Sequence, residues 1–482
     1  MSGAELSSNS QSNLQSISQP VNKKRKYTKT RLEDGMVSDL FHELLSSEDI
    51  IRLSMTCKGI IQPLISIGRL SSRHVVYWSA DTTSIITHLF EYGCISGINL
   101  SPQMRRLEFD DDYDSVAFVL PANLQTVRFG KHFNQQLTLN LFPQSLHTLH
   151  FGDEFNQAMD TLKDTNIREL KFGERFNQAI DVLPVHLGHL VFGRAFNRIL
   201  RADVLPSCLH ILKIGDGFNQ PLEAGVLPAH LRFLKIGDGF NQPLVAGVLP
   251  PRLHTLKIGD GFDKPLVAGV MPANLRILKI GDGFDQQLLA GVLPCRLKTL
   301  KLGRRFNYAL GAGVLPVSLS LLKFGEDFNQ LLKVKVLPTG LMKLVFGQKF
   351  NQRLDPGVLP TGLTILKFGD NFDYPLKERV LPADLARLIL GYNFNSRIVL
   401  NNSLVHLEFG DKFNQHLVGV LPPSLLYLTL GKWFTQQFEV GVLPASLLYL
   451  RHGHLFISDD MDQLPITLHT TADWYDDGDF NY

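Results

Sequence analysis

Cysteine is scarce in this 482-residue chain: Cys57, Cys94, Cys208 and Cys295 lie far apart, with no Cys-x-x-Cys pair among the four. That spacing excludes a disulfide framework and a thiolate zinc site, and it reads as reduced thiols inside a cell. Net charge is nearly absent too, at +2, so no global field draws the chain to nucleic acid or to a membrane surface. No run approaches the roughly 18 apolar residues of a membrane span. The N-terminus opens with Ser, Asn and Gln where a secretory leader needs an apolar stretch. Catalytic signatures are missing as well: there is no Gly-x-Ser-x-Gly elbow, phosphate-binding loop or dinucleotide fingerprint, and the histidines are scattered. His42-Glu43-Leu44-Leu45-Ser46 begins like a zinc-protease helix but lacks the second histidine. An intracellular, soluble, non-enzymatic protein without cofactor or metal is expected.

What the chain does have is repetition. From Leu227 to Leu293 it reads Leu-Pro-x-x-Leu-x-x-Leu-Lys-Ile-Gly-Asp-Gly-Phe-(Asn/Asp)-x-x-Leu-x-Ala-Gly-Val three times over. Gly193, Gly215, Gly237, Gly259, Gly281 and Gly303 continue at intervals of 22 residues through Gly391, with looser copies on both sides. A period in the twenties means a solenoid. In one copy, Leu234 and Ile236 alternate with Phe233 and Lys235, the period of a strand. Gly237 and Asp238-Gly239 carry turn chemistry that ends it. Pro228 falls in the return path, where its missing N–H matters little. The apolar residues of one copy are too few for a core, and only stacking on neighbours gives them one.

Stacking predicts columns. Phenylalanines from Phe133 through Phe240 to Phe434 recur once per copy and should form a buried spine. Asn or Asp follows each but the last, from Asn134 to Asn414, with a short side chain able to bond the backbone of its own or a neighbouring turn. Between the two inward strand positions runs a lysine column that includes Lys213, Lys235, Lys257, Lys279, Lys301 and Lys323. Three residues further on stands an acidic column with Asp216, Asp238, Asp260, Asp282 and Glu326. Side by side, the two columns are expected to neutralise one another, which disfavours nucleic acid. The Asp-Gly-Phe-Asp segments at Asp260 and Asp282 have too few acids for a calcium roll.

The block from Leu205 to Asn219, and again from Leu227 to Asn241, resembles the FNIP repeat, a relative of the leucine-rich repeat found in social amoebae and in giant DNA viruses that infect amoebae. At Phe218-Asn219-Gln220-Pro221, Gln stands where the family name has Ile. The resemblance implies a mainly β fold: an LRR-like right-handed solenoid of about sixteen turns, one short parallel strand per turn.

The N-terminal part differs. Residues 1–33 are polar, with a basic cluster at Lys23, Lys24, Arg25 and Lys26 that reads as a nuclear-import signal or as a solubilising tail. Residues 34–72 hold two short amphipathic patterns, carried by Leu40, Phe41, Leu44 and Leu45 and then by Ile50, Ile51, Leu53 and Cys57. Ser46 is placed to cap the second, and Pro63 ends it. The run from Asp39 to Lys58, with Leu53-Ser54-Met55-Thr56-Cys57-Lys58, resembles an F-box that lacks the usual opening Leu-Pro. That resemblance implies docking onto the Skp adaptor of a cullin-type ubiquitin ligase through those eight apolar residues. The structural alternative is a helical cap covering the exposed core of the first repeat, which a solenoid requires.

Residues 73–103 read as a connector and N-terminal cap, 104–456 as the repeat array, and 457–482 as a C-terminal cap with an acidic tail. Together the two resemblances imply a monomeric substrate-recognition subunit, with the F-box holding the ligase and the solenoid holding an unknown protein target. The alternative is a repeat-only scaffold or decoy without ligase coupling. The candidate target-binding face comprises Lys213, Phe233, Lys235, Thr255, Lys257 and Ile277, continuing through Lys279, Lys301 and Lys323.

Overall fold

In the computed structural model of the protein, the residues described are Val76–Trp78, nearly all of 105–453, and His469–Thr471. The chain divides into two units, Met1–Ile50 and Ile51–Tyr482, and all described residues belong to the second. The basic cluster at Lys23 to Lys26 and the F-box-like residues Leu40 to Cys57 lie outside the described residues.

Each repeat contributes one strand of three or four residues, and the strands join in a single 19-stranded parallel sheet. It starts with β1 (Val76–Trp78) against β2 (Arg106–Phe109), and ends with β18 (Tyr449–Arg451) against β19 (His469–Thr471). The central strands are β7 (Ile211–Lys213), β8 (Phe233–Ile236), β9 (Thr255–Ile258), β10 (Ile277–Ile280), β11 (Thr299–Lys301) and β12 (Leu321–Lys323). The array is a parallel β-solenoid of about fifteen turns of about 22 residues, close to the sixteen expected.

Local chemistry keeps the strands short, and among the described residues the helical element is a single 3-10 turn at Asp160–Leu162. Around β8 the backbone reverses at three tight turns. Leu231 N–H donates to the Pro228 carbonyl (3.0 Å), Phe240 N–H to Gly237 (3.3 Å), and Val248 N–H to Val245 (3.3 Å). Proline thus sits at the acceptor end of a turn, where its missing donor costs nothing. Between the turns, Leu231, Leu234, Ile236, Phe240, Leu244, Val248 and Leu249 all point inward and are buried.

Two of the glycine columns have different causes. Gly225, Gly247, Gly269 and Gly291 hold φ between +83° and +86°, the left-handed region that favours glycine. At the end of the strand, φ is ordinary and the cause is proximity. A Cβ on Gly237 would lie 2.4 Å from the Gly215 carbonyl, so the backbones of successive turns touch there. Turn chemistry, expected from the Gly-Asp-Gly sequence, is therefore only part of the reason for this column.

The phenylalanine spine is continuous. Phe196, Phe218, Phe240, Phe262 and Phe284 are fully buried and stack nearly parallel, 6.0–6.2 Å between successive centroids. In outer turns a second phenylalanine at the strand end joins it, as in Phe172–Phe176 at 3.8 Å. The central turns carry Ile214, Ile236, Ile258 and Ile280 at that place.

Beside the spine, the Asn column is a ladder between turns. Asn219 N–H donates to the Asn197 Oδ1 (2.9 Å), Asn241 to Asn219 (2.9 Å), and Asp263 to Asn241 (3.0 Å). Of the two options open in the sequence, the neighbour's backbone is the one used. Gln220 and Gln242 add Nε2 donations to the same oxygens, at 3.1 and 3.2 Å. Each carboxamide oxygen near the core is thereby satisfied by the next turn, as buried polar groups require. The carboxyl of Asp263 lies below the usual carboxylate range because it accepts from the Asp285 backbone and from Gln286.

The repeat is shortened between Gly173 and Gly193 and between Gly391 and Gly410, and both slips leave the sheet intact. Glu169 still pairs with His189, and Arg387 with His406, across the shortened copies. In the second, where Val399-Leu400-Asn401-Asn402 replaces the Gly-Val-Leu-Pro corner, a parallel bridge between Leu376 and Ile398 substitutes.

Candidate interaction surface

A parallel, in-register stack turns each sequence position into a column of side chains, and strand alternation sends every second column outward. Two outward columns result. The first runs Ile211, Phe233, Thr255, Ile277, Thr299, Leu321; the second runs Lys213, Lys235, Lys257, Lys279, Lys301, Lys323. Val191 precedes the lysines and Val345 follows them, so the basic block is confined to six consecutive turns. All the residues assigned to the target-binding face from sequence fall in these two columns.

Five lysine pairs therefore stand opposite one another on strands about 4.8 Å apart. Like charges so placed repel. Burial holds the Lys257 ammonium below the usual lysine range, and Lys279, Lys235 and Lys213 push the same way. Lys279 shows the same depression, again first from burial and then from Lys301 and Lys323.

The acidic column does not neutralise this block, contrary to the expectation from sequence. Its carboxylates are engaged along their own column: Asp260 N–H donates to Asp238 Oδ1 (3.2 Å), Asp282 N–H to Asp260 Oδ1 (3.0 Å), and Arg304 N–H to Asp282 Oδ1 (3.0 Å). Asp282 is also paired with the Arg304 guanidinium at 3.1 Å. Among the described residues no carboxylate lies within the 4.0 Å ion-pair distance of any of the six lysines. Spacing alone could not reveal this, because one buried residue and a glycine separate the columns, as Ile236 and Gly237 separate Lys235 from Asp238. The acids turn toward the backbone of the next turn.

Phe233 is the aromatic of the first column within this block. The Lys213 ammonium stands 6.0 Å from its ring centroid and that of Lys257 5.3 Å, so cations approach it from both neighbouring turns. Just ahead of the strands, Arg232, Arg276 and Lys298 are exposed and add a basic rim. The sequence reading missed that rim, although it recurs with the same 22-residue period.

A second cluster was also missed. Glu169 on β5 (Glu169–Lys171) accepts from His150 Nε2 at 3.1 Å, and His189 Nδ1 lies 3.8 Å from the same oxygen. Burial holds both imidazoles below the ordinary histidine range, against the pull of Glu169. The signal was there as three outward strand positions on consecutive turns. No group of three or more His, Cys, Asp or Glu among the described residues is placed to hold a metal ion. No helix among them is long and apolar enough to cross a membrane. Cys208 and Cys295 are free and exposed.

A single stacked sheet with a dry interior and a patterned outer face defines a leucine-rich-repeat-like solenoid, the class that offers extended surfaces to protein partners. The chain belongs to the FNIP repeat family: the FNIP Repeat model matches residues 133–161, 176–217, 218–261, 262–305, 306–349, 350–393, 394–433 and 413–453. Among solved structures it is similar to CroV588, a novel circular LRR protein structure, with 38% identity and a TM-score of 0.73 over 77% of this chain. That match covers 59% of the CroV588 chain. YopM from Yersinia enterocolitica matches at 21% identity and a TM-score of 0.40, over 77% of this chain and 88% of its own. An internalin of Listeria monocytogenes matches at 17% and 0.32, over 65% and 82%. None of the curated proteins matches the chain.

Proposed function

We propose that the chain is a non-enzymatic substrate-recognition subunit of a cullin-type ubiquitin ligase. The outward strand face binds a target protein, and the F-box-like segment binds the Skp adaptor. The observation that carries the binding half is the strand face: two columns of outward side chains held in fixed register over many turns. Such a face is wide, rigid and varied from turn to turn, as recognition of a large partner needs. The ligase half is supported by the resemblance of residues 39–58 to an F-box. The mechanism is proximity, since tethering raises the local concentration of target lysines near the ubiquitin-carrying enzyme. Such a receptor works inside the cell, in the cytoplasm and, if Lys23 to Lys26 act as an import signal, in the nucleus.

Adaptor pull-down with the full-length chain tests the ligase half. Wild type should retain the Skp adaptor, and Leu53→Asp should abolish retention while leaving the β circular-dichroism signal of the solenoid unchanged. Equal and negligible capture by both would leave residues 39–58 without an adaptor role and the chain as an interaction scaffold.

A further inference from the structure

We infer that the face between Lys213 and Lys323 receives an extended acidic segment of a protein partner, lying along the stack, with carboxylates on the lysine column and apolar side chains on the column beside it. This deepens the proposal that the strand face binds the target, and rests on it.

The charge on this block has no internal counterpart. Six lysines stand in unbroken register, and the carboxylates nearest in sequence are engaged by backbone N–H groups and Arg304. Arg232, Arg276 and Lys298 enlarge the basic field on one side. Burial and mutual repulsion already weaken the charged forms of Lys257 and Lys279, so an incoming carboxylate relieves strain as well as adding attraction.

The geometry selects a narrow polyanion. Five steps of about 4.8 Å give a lysine column of about 24 Å, the length of about seven extended residues. Alternate side chains of such a peptide point to opposite sides of its backbone, so a strand lying between the two columns turns one set toward the lysines and the other toward the apolar column. Ile211, Ile277 and Leu321 line the adjoining column and suit apolar partners, whereas single-stranded nucleic acid needs aromatic rings on which bases stack. The aromatic here, Phe233, has lysine ammonium groups near its ring from both neighbouring turns. On the far edge the exposed Asp238, Asp260 and Glu326 would meet a broad polyanion such as a duplex with like charge, while a single peptide strand fits between the columns.

The test uses the full-length chain and a fluorescent peptide of about twelve residues alternating Glu and Leu. Its Gln/Leu counterpart and a single-stranded oligonucleotide are the competing probes, read by anisotropy. The Glu/Leu peptide should bind at least about tenfold tighter than either, with an affinity that falls as salt rises. The triple variant Lys235→Glu, Lys257→Glu, Lys279→Glu should weaken it at least about tenfold, whereas Lys367→Glu, outside the block, should not. Circular dichroism of the variants checks folding: the reversal turns the pairs Lys213/Lys235 and Lys279/Lys301 from like to opposite charge and leaves the other three pairs of the column like-charged, so the stack is expected to stay folded. Equal binding of the Gln/Leu peptide, tighter binding of the oligonucleotide, or indifference to the triple reversal would each overturn the inference. Adaptor capture depends on Leu53 and not on the lysines, so failure here and failure of the ligase proposal are separate results.

Discussion

Replacing Gly259 by alanine probes the close approach of backbones between successive turns. The added Cβ would lie 2.3 Å from the Gly237 carbonyl carbon, 2.4 Å from its oxygen and 2.5 Å from the Asp238 Cα. Ordinary contacts between such atoms are about 3.5–4.0 Å, so the two turns must part locally by more than about 1 Å. The obstructing atoms are all backbone, and no side chain can swing aside. The Gly261 N–H bond to the Asp238 carbonyl, 2.7 Å in the native stack, would be stretched past hydrogen-bonding distance. Its loss costs about 1 kcal/mol, and overpacking adds about 1–3 kcal/mol. The expected destabilisation is therefore about 2–4 kcal/mol. Gly269→Ala is the control: its φ is +86° and nothing lies within 4 Å of the new atom, leaving only a left-handed penalty of about 1–2 kcal/mol. Urea denaturation followed by circular dichroism should rank Gly259→Ala well below Gly269→Ala. Hydrogen exchange should show the loss of protection centred on the turns of β8 and β9, since a turn interacts chiefly with its neighbours. Equal midpoints for the two variants would refute the idea that proximity fixes this glycine.

Three further outcomes are expected. Phe262→Ala removes a fully buried ring stacked 6.1 Å from Phe240 and 6.0 Å from Phe284, and should cost about 3–5 kcal/mol by urea denaturation; a loss below about 1 kcal/mol would mean the spine is not a source of stability. Lys335 holds φ +69° in register with Gly313 and Gly357, so Lys335→Gly should raise the unfolding free energy by about 0.5–1 kcal/mol, seen as a higher urea midpoint. A lowered midpoint would count against strain at that corner. His150 and His189 have imidazoles held below the ordinary range by burial. Their contribution is complete above the unfolded histidine pKa and is lost as pH falls through the folded one, because unfolded chains then bind protons the folded state resists. Stability should drop between about pH 7.5 and about pH 5, less steeply in the double variant His150→Gln, His189→Gln, and an unchanged slope would exclude them as the source.

The architecture was legible because it rests on a strict period. Once Leu234, Ile236 and Phe240 recur every 22 residues, alternation and stacking dictate which side chains face inward, and the buried columns follow. The outward columns were legible for the same reason, down to Phe233, Thr255 and Ile277. What the period could not convey is direction within the turn. Asp238 and Lys235 are three residues apart, yet the carboxylate bonds the next turn's backbone, so adjacency in sequence did not become an ion pair. Nor could a glycine column announce its cause: Gly237 and Gly247 look alike in the sequence, but one answers to a neighbouring carbonyl and the other to φ. The histidine cluster around Glu169 was obscured because it arises in the irregular copies, where position must be counted from the strand and not from the glycine.

The ladder of asparagines carries a consequence for how such a chain can change. Each turn hands its successor the same acceptor at the same height, from Asn197 to Asn219 to Asn241 to Asp263. Excising or duplicating one whole unit therefore reconnects like with like, leaving the interior chemistry untouched while lengthening or trimming the external pattern by a single step. Such a molecule can be rewritten by recombination at the level of whole modules, and its recognition range can grow without any redesign of what holds it together.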